Sequence, residues 1–404
     1  MIFNLNEFLM AVSFTLDFVE MDILGVASNH GKRTAYIALR IAQEIDLKDE
    51  EIHDVVALAM LHDNGLSSIN VHGRFLKRDP MNIRNLESVK EHCIIGEDNI
   101  KDYPFFTDVK GSIKYHHENY DGTGNFNLKA EEIPLMAQII RIADLTDATF
   151  NFGKSNNSNK EKIIKYINDQ ENKIFSQKLV QAFNNISKDK NFWANLQDDN
   201  LKEALKKNTP QFSKDLSLEE IKKITSVFSK IVDSKSHFTK EHSRGLVEKV
   251  KIMADYYKKS HEEKMKLIIA ADLHDIGKLA IPNEILDSPR KLTFEEFELM
   301  KKHVYYTRIA LQEIKGFEDI NEWASNHHEK LNGMGYPFGK TEKDLDFNSR
   351  LMTCLDIYQA LTEERPYRKG LVHKEAMKIL YDMYKKGLID GKITEDIDNV
   401  FGER

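Results

Sequence analysis

Apolar residues recur at helical spacing along most of the chain. Ile221, Ile224, Val227, Phe228 and Ile231 fall three and four residues apart, which puts them on one stripe of an amphipathic helix. The two-residue alternation of a half-buried strand is weak throughout, so the pattern predicts an all-α protein. It predicts helices over residues 6–20, 32–45, 50–63, 132–150, 160–186, 219–233, 243–259, 262–275, 294–313 and 346–362. Two starts carry a reciprocal capping pattern, Ser217 with Glu220 and Thr293 with Glu296. The tract from Gly153 to Lys160 reads as a loop inside the first half, because Ile163, Ile164, Tyr166 and Ile167 resume the helical spacing after it. From about Asp198 to Asp215 no apolar periodicity is visible, and the stretch holds Lys206, Lys207, Asn208, Thr209 and Pro210. The pattern therefore divides the chain into domains at 1–205 and 216–404, joined by a linker at 206–215.

Laid over this helical pattern is a set of histidines and aspartates that occurs twice. In the second half it runs His242, His274, Asp275, His303, His327, His328 and Asp356; in the first, His30, His62, Asp63, His92, His116, His117 and Asp144. The offset is 212 residues at His30 and His62, 211 at His92 and the histidine pair, and 212 again at Asp144. Two one-residue gaps align the sets, which is the signature of internal duplication.

The chemistry of the set points to metal. His274 and Asp275 follow the apolar run Leu267–Leu273, and a carboxylate at the end of a buried helix must be paired or bound to a cation. A satisfied core histidine beside a capping aspartate accounts for one such pair, but poorly for five histidines with two aspartates. Imidazole with carboxylate suits divalent iron, manganese or zinc, and no cysteine sulfur is positioned in the second half to restrict the choice. Seven ligands exceed the four usual at one zinc ion, so two ions bridged by the aspartate are more economical.

Composition narrows the surroundings. With 404 residues, 41% hydrophobic and 30% charged, the chain is an ordinary globular one, and a net charge of −7 argues against a broad grip on duplex nucleic acid. An anionic substrate stays possible if metal ions and local cations supply the positive field. Two cysteines, Cys93 and Cys354, make no disulfide framework and suit a reducing cytoplasm; each reads as a small buried core residue. The apolar N-terminal stretch is interrupted by Asn6, Glu7, Asp17, Glu20 and Asp22, so it predicts neither a signal peptide nor a membrane span.

The sequence HDIGK, then His303, then HHEKLNGMGYP, then DIYQALTEERPYR resembles the HD-GYP family of cyclic dinucleotide phosphodiesterases. That resemblance implies tandem all-helical HD-type bundles, the second spanning 216–404. It implies metal ligands at His242, His274, Asp275, His303, His327, His328 and Asp356, with iron or manganese as the ions. Lys278 would contact the scissile phosphate and act with Asp275 in catalysis, while Tyr336, Arg365 and Arg368 would bind substrate. The substrate would be cyclic di-GMP or 3′,3′-cyclic GMP-AMP, opened to the linear dinucleotide. The family often has Asp where this chain has Asn332, Arg where it has Gly245, and, in trinuclear members, Glu where it has Phe238; two ions, not three, are expected.

The first half keeps the ligands, His30, His62, Asp63, His92, His116, His117 and Asp144, but Lys278 becomes Leu66 and Gly-Tyr-Pro becomes Gly124, Asn125 and Phe126. A divergent first copy resembles the layout of some cyclic GMP-AMP phosphodiesterases. A second metal site with a regulatory role and a decayed copy kept for packing both remain open. Rival functions are an HD-superfamily phosphomonoesterase and a non-catalytic di-iron sensor module. A homodimer and an internal pseudo-dimer of the two halves are equally compatible with the sequence.

Overall fold

The computed structural model describes residues 1–24, 26–66, 87–150, 160–235, 242–288, 290–364 and 369–402. Its contacts separate into two units, Ile2–Asp215 and Leu216–Arg404, the latter joined by Met1. Both are helical, as the apolar spacing predicts. The described residues form one small sheet, in which β1 (Ile2–Phe3) pairs antiparallel with β2 (Lys214–Asp215).

In the first unit the helices are α1 (Leu5–Leu24), α2 (His30–Glu44), α3 (Asp49–Leu61), α4 (Glu87–Ile100), α5 (Leu135–Phe150), α6 (Lys160–Asp169), α7 (Gln177–Ile186), α8 (Lys190–Asn195) and α9 (Asp198–Asn208). Helix α2 packs against α3 and α5 and is buried along most of its length, Tyr36, Ile37, Leu39 and Ile41 included. In the second unit they are α10 (Leu218–Lys235), α11 (His242–Tyr256), α12 (His261–Leu273), α13 (Asn283–Leu286), α14 (Phe294–Leu311), α15 (Glu318–Ser325), α16 (Phe347–Thr362), α17 (His373–Lys385) and α18 (Gly391–Phe401). Helix α12 is the core of this unit and packs against α10, α11 and α15. Its start is fixed by Ser260, which accepts from Glu263 N, and its last seven residues, Leu267 to Leu273, are all buried.

Both expected capping boxes form. Ser217 N donates to Glu220 Oε2 at 2.8 Å while Glu220 N donates to Ser217 Oγ, and Thr293 with Glu296 repeats the exchange.

Three expectations differ from the structure. The helix read over 160–186 is two helices, because the chain turns between them with Asn172 at φ 56°, a left-handed conformation that a side-chain spacing does not reveal. The stretch read as a linker is ordered into the first unit: 206–208 are the last turn of α9, and 214–215 form β2. Helices α4, α8, α9, α13, α15, α17 and α18 lie outside the predicted spans. Among the described residues, no helix is long and apolar enough to cross a membrane.

Candidate metal centres

In the second unit, five elements deliver the histidine and aspartate set to one place. His242 opens α11, His274 and Asp275 end α12, His303 lies within α14, His327 and His328 follow α15, and Asp356 is in α16. His274 Nε2 stands 3.1 Å from Asp275 Oδ2, and His303 and His327 Nε2 stand 3.4 and 3.9 Å from Asp275 Oδ1. His242 Nε2 is 3.0 Å from Asp356 Oδ1, and His328 Nδ1 is 4.0 Å from Asp356 Oδ2. All seven predicted ligands therefore converge.

The tautomers show what the cluster is built to hold. His274, His303 and His327 each donate from Nδ1 to the carbonyl three residues earlier, Ala271 at 2.8 Å, Met300 at 2.6 Å and Ala324 at 2.6 Å. In the neutral ring this places the lone pair on Nε2, aimed at the Asp275 carboxylate. Those three Nε2 atoms are buried and have no hydrogen-bond partner. Lone pairs facing a carboxylate in a dry interior repel unless a cation lies between them. The donor set, imidazole nitrogen with carboxylate oxygen, fits divalent metal ions.

The electrostatics agree. Burial pushes His303 down to about 4, and burial with the nearby His274 pushes His327 down to about 3, so both imidazoles stay neutral. Burial alone would raise the Asp356 carboxyl, but the His242 hydrogen bond holds it well below the usual carboxylate range. Burial would likewise depress His242, yet its bonds to Asp356 and to Glu363 raise it to about 10.

Lys278 sits in a short 3-10 turn, Ile276–Ala280, with Nζ 2.5 Å from Asp275 Oδ2. Tyr336 stacks at a tilt beside His328, ring centres 4.9 Å apart, and its hydroxyl is held above its ordinary range by burial. Arg365, Arg368 and Phe238 lie outside the described residues.

Several supporting residues escaped the sequence reading. Glu363 Oε2 accepts from His242 Nδ1 at 2.8 Å, and Gln359 Nε2 donates to the same oxygen at 3.0 Å. Glu363 is seven residues from Asp356, two helical turns along one face, and that spacing was a usable signal. Gln359 packs over Gly245: a Cβ there would come within 2.2 Å of its Nε2, so its amide would have to shift. Glu329, directly after the histidine pair, accepts from Phe338 N at 2.7 Å and Lys340 N at 2.9 Å and so folds the Gly-Tyr-Pro loop back.

The first unit builds a parallel centre. His92 and His116 Nε2 lie 3.3 and 3.5 Å from Asp63 Oδ1, His62 Nε2 lies 3.5 Å from Asp63 Oδ2, and His30 Nε2 lies 3.3 Å from Asp144 Oδ1. His62 and His116 repeat the donation from Nδ1, to Ala59 at 2.8 Å and Ile113 at 2.6 Å. Glu118 repeats the loop clamp of Glu329, accepting from Phe126 N and Leu128 N, both at 2.8 Å.

Around that shared frame the first unit departs. Where the second unit has Lys278, Leu66 is buried. Asp147 accepts from His30 Nδ1 at 2.6 Å and from Arg33 Nε at 2.7 Å, and Arg33 stands at the position that is Gly245 in the second copy. His117 Nδ1 accepts from Arg141 at 3.0 Å. Glu20 is buried with no hydrogen-bond partner for Oε2, and burial pushes its carboxyl up to about 8 against the pull of His30 and His62.

Comparison with known proteins bears on both units. The family model described as HD domain matches residues 21–175 and 226–393. The chain is 29% identical over 403 residues to the 3′3′-cGAMP-specific phosphodiesterase 1 of Vibrio cholerae, covering 98% of this chain and 91% of that protein. It is 28% identical over 426 residues to phosphodiesterase 3 of the same specificity and organism, covering 94% and 90%. A crystal structure of a V. cholerae cyclic GMP-AMP-specific phosphodiesterase superposes with a TM-score of 0.70 at 24% identity over 100% of this chain and 99% of that one, which establishes the shared fold. The chain belongs to the HD-domain family, in two tandem copies of which the second carries the HD-GYP residues.

Proposed function

We propose that the second unit is a metal-dependent phosphodiesterase that opens a 3′,5′-cyclic dinucleotide to the linear dinucleotide. The observation that carries this reading is the fixed tautomer of His274, His303 and His327, whose partnerless Nε2 atoms surround Asp275 with Lys278 beside it. His242, His274 and Asp356 would hold one ion and His303, His327 and His328 a second, with Asp275 between them. Bound there, a pair of divalent ions, iron or manganese, supplies activation of water at neutral pH and charge neutralisation at phosphorus.

The chain's own residues supply the rest. Asp275 and Asp356 are ionised and provide the anionic charge that holds cations in a buried site. Glu363 fixes the ring of His242 from behind. Lys278 Nζ, at the Asp275 carboxylate, reaches the place where a phosphoryl oxygen would gain charge and stabilises it there. The Tyr336 ring lies beside His328, where it would offer a face for a base or ribose to rest on. Arg365 and Arg368, from the resemblance, would hold the second phosphate.

Similarity over nearly the whole chain to proteins named for 3′,3′-cyclic GMP-AMP favours that substrate over cyclic di-GMP. The first unit, with Leu66 in place of the lysine and Arg141 on His117, is read as a metal-binding copy that does not hydrolyse the substrate. The test is to load the full chain with manganese or iron, incubate it with each cyclic dinucleotide, and separate products by chromatography. Linear guanylyl-adenylyl product from cyclic GMP-AMP is expected; metal-replete protein that turns over neither substrate sinks the reading.

A further inference from the structure

Cys93 is a member of the first-unit cluster that has no polar counterpart in the second. The offset that carries His92 to His303 carries Cys93 to Val304, and both are fully buried. Cys93 Sγ lies 3.6 Å from His92 Nε2 and 3.8 Å from His116 Nδ1. Ligand atoms of His92, Cys93, His116 and His117 all lie within 4.8 Å of one another, whereas the corresponding group in the second unit is His303, His327 and His328 alone.

The individual atoms define the set more closely. His116 donates from Nδ1, the ring atom 3.8 Å from Cys93 Sγ, to Ile113 O at 2.6 Å, so in the neutral ring that a metal ion requires the lone pair is on Nε2, which is buried and has no hydrogen-bond partner. Asp63 Oδ1 is buried without a hydrogen-bond partner too, 3.3 Å from His92 Nε2 and 3.5 Å from His116 Nε2. His117 stands apart, because an Nδ1 that accepts from Arg141 leaves its proton on Nε2 and no lone pair to give. Arg141 is itself peculiar to this copy, since the same offset as at Asp144 places Thr353 there in the second. A sulfur at about 2.3 Å and a nitrogen at about 2.0 Å from one ion, at a tetrahedral angle, are about 3.6 Å apart. That is the Cys93 to His92 separation.

We propose that His92, Cys93, His116 and Asp63 form a four-coordinate zinc site in the first unit, chemically distinct from the nitrogen and oxygen centre of the second. Thiolate is a soft ligand that favours zinc over manganese or magnesium, so the duplication has produced two centres of different metal preference. Four protein ligands close the coordination sphere, as in structural zinc sites, and leave no position for an activated water. This gives a copy without a counterpart of Lys278 a reason to retain His92, His116 and Asp63. The inference does not depend on what the second unit hydrolyses.

Cobalt is the probe. The full chain, stripped by chelator and titrated with Co2+, is expected to show the near-ultraviolet charge-transfer band of a cobalt–thiolate bond. Zinc should abolish the band and excess manganese should not. Cys93→Val, the residue of the other copy, should lose the band, and Cys354→Ala should keep it. Cobalt bound without the band, or a band that survives in Cys93→Val, overturns the proposal. Zinc-edge X-ray absorption of the unsubstituted chain with one equivalent of zinc needs no variant to fold. A sulfur neighbour is expected there, and a shell of nitrogen and oxygen alone overturns the assignment.

Discussion

Lys278 separates the two copies most sharply at the scale of one residue. Its ammonium stands 2.5 Å from Asp275 Oδ2, where the first copy has the buried Leu66. A preorganised cation at a phosphoryl oxygen is worth about a hundred- to a thousandfold in kcat, so Lys278→Met should lose that much while elemental analysis finds the second unit's metal still bound. Loss of the metal along with the activity would make the lysine a structural counter-ion of Asp275 instead. Glu363 acts through His242, and Glu363→Ala should weaken metal binding about ten- to a hundredfold, which a competition titration with a coloured chelator reads directly. The ligands themselves were legible in the sequence because they recur at an offset of 211 or 212 residues. Glu363 carried only the weaker signal of its seven-residue spacing from Asp356, and the copies do not share it: Asp147 supports His30 from three residues past Asp144, so no common position marks the role.

At the scale of elements, close approach fixes the cluster. Gly277 follows Asp275 by two residues, and a Cβ there would come within 2.0 Å of His303 O and 2.8 Å of Thr307 N. Gly65 repeats this in the first unit, 2.1 Å from His92 O. Thr307 closes the contact by accepting from Gly277 N and donating to His274 O at 2.9 Å. Gly277→Ala must push α14 away and move His303 with it. A cost on the order of 1–3 kcal/mol is expected, read as a lower unfolding midpoint together with weakened metal binding. Helix α15, which delivers His327 and His328, is held differently. Glu322 bonds Arg308, Lys340 and Asn326, and although burial alone would raise its carboxyl, these partners hold it at about 2. A carboxyl depressed in the folded state stabilises above its unfolded value near 4.5 and loses that contribution as pH falls toward 2. Glu322→Gln should therefore flatten the stability profile in that window, as acid titration followed by circular dichroism would show; an unchanged slope refutes it. Helix α15 was invisible to the apolar spacing because it is eight residues long, too short for a repeating stripe.

For the molecule as a whole, the named ligands of each centre lie within one unit of the chain. Duplication of a complete site lets one copy drift while the other continues to serve. The drift is visible in what changed: Leu66 for the lysine, Arg141 at His117, Cys93 where the other copy has Val304. The sequence revealed the duplication and the loss of the lysine, yet it hid the sulfur, because a cysteine next to a ligand histidine in a helix looks like core until the fold brings His116 beside it. Independence of the centres has a direct consequence. The double substitution His274→Ala and Asp275→Ala should abolish turnover and remove the second unit's metal while the cobalt–thiolate band of the first unit persists. The matching His62→Ala and Asp63→Ala variant removes a proposed zinc ligand and should weaken or erase that band. If the band instead disappears with the second-unit ligands, the two centres are not separable, and the reading of one hydrolytic copy and one zinc-holding copy fails.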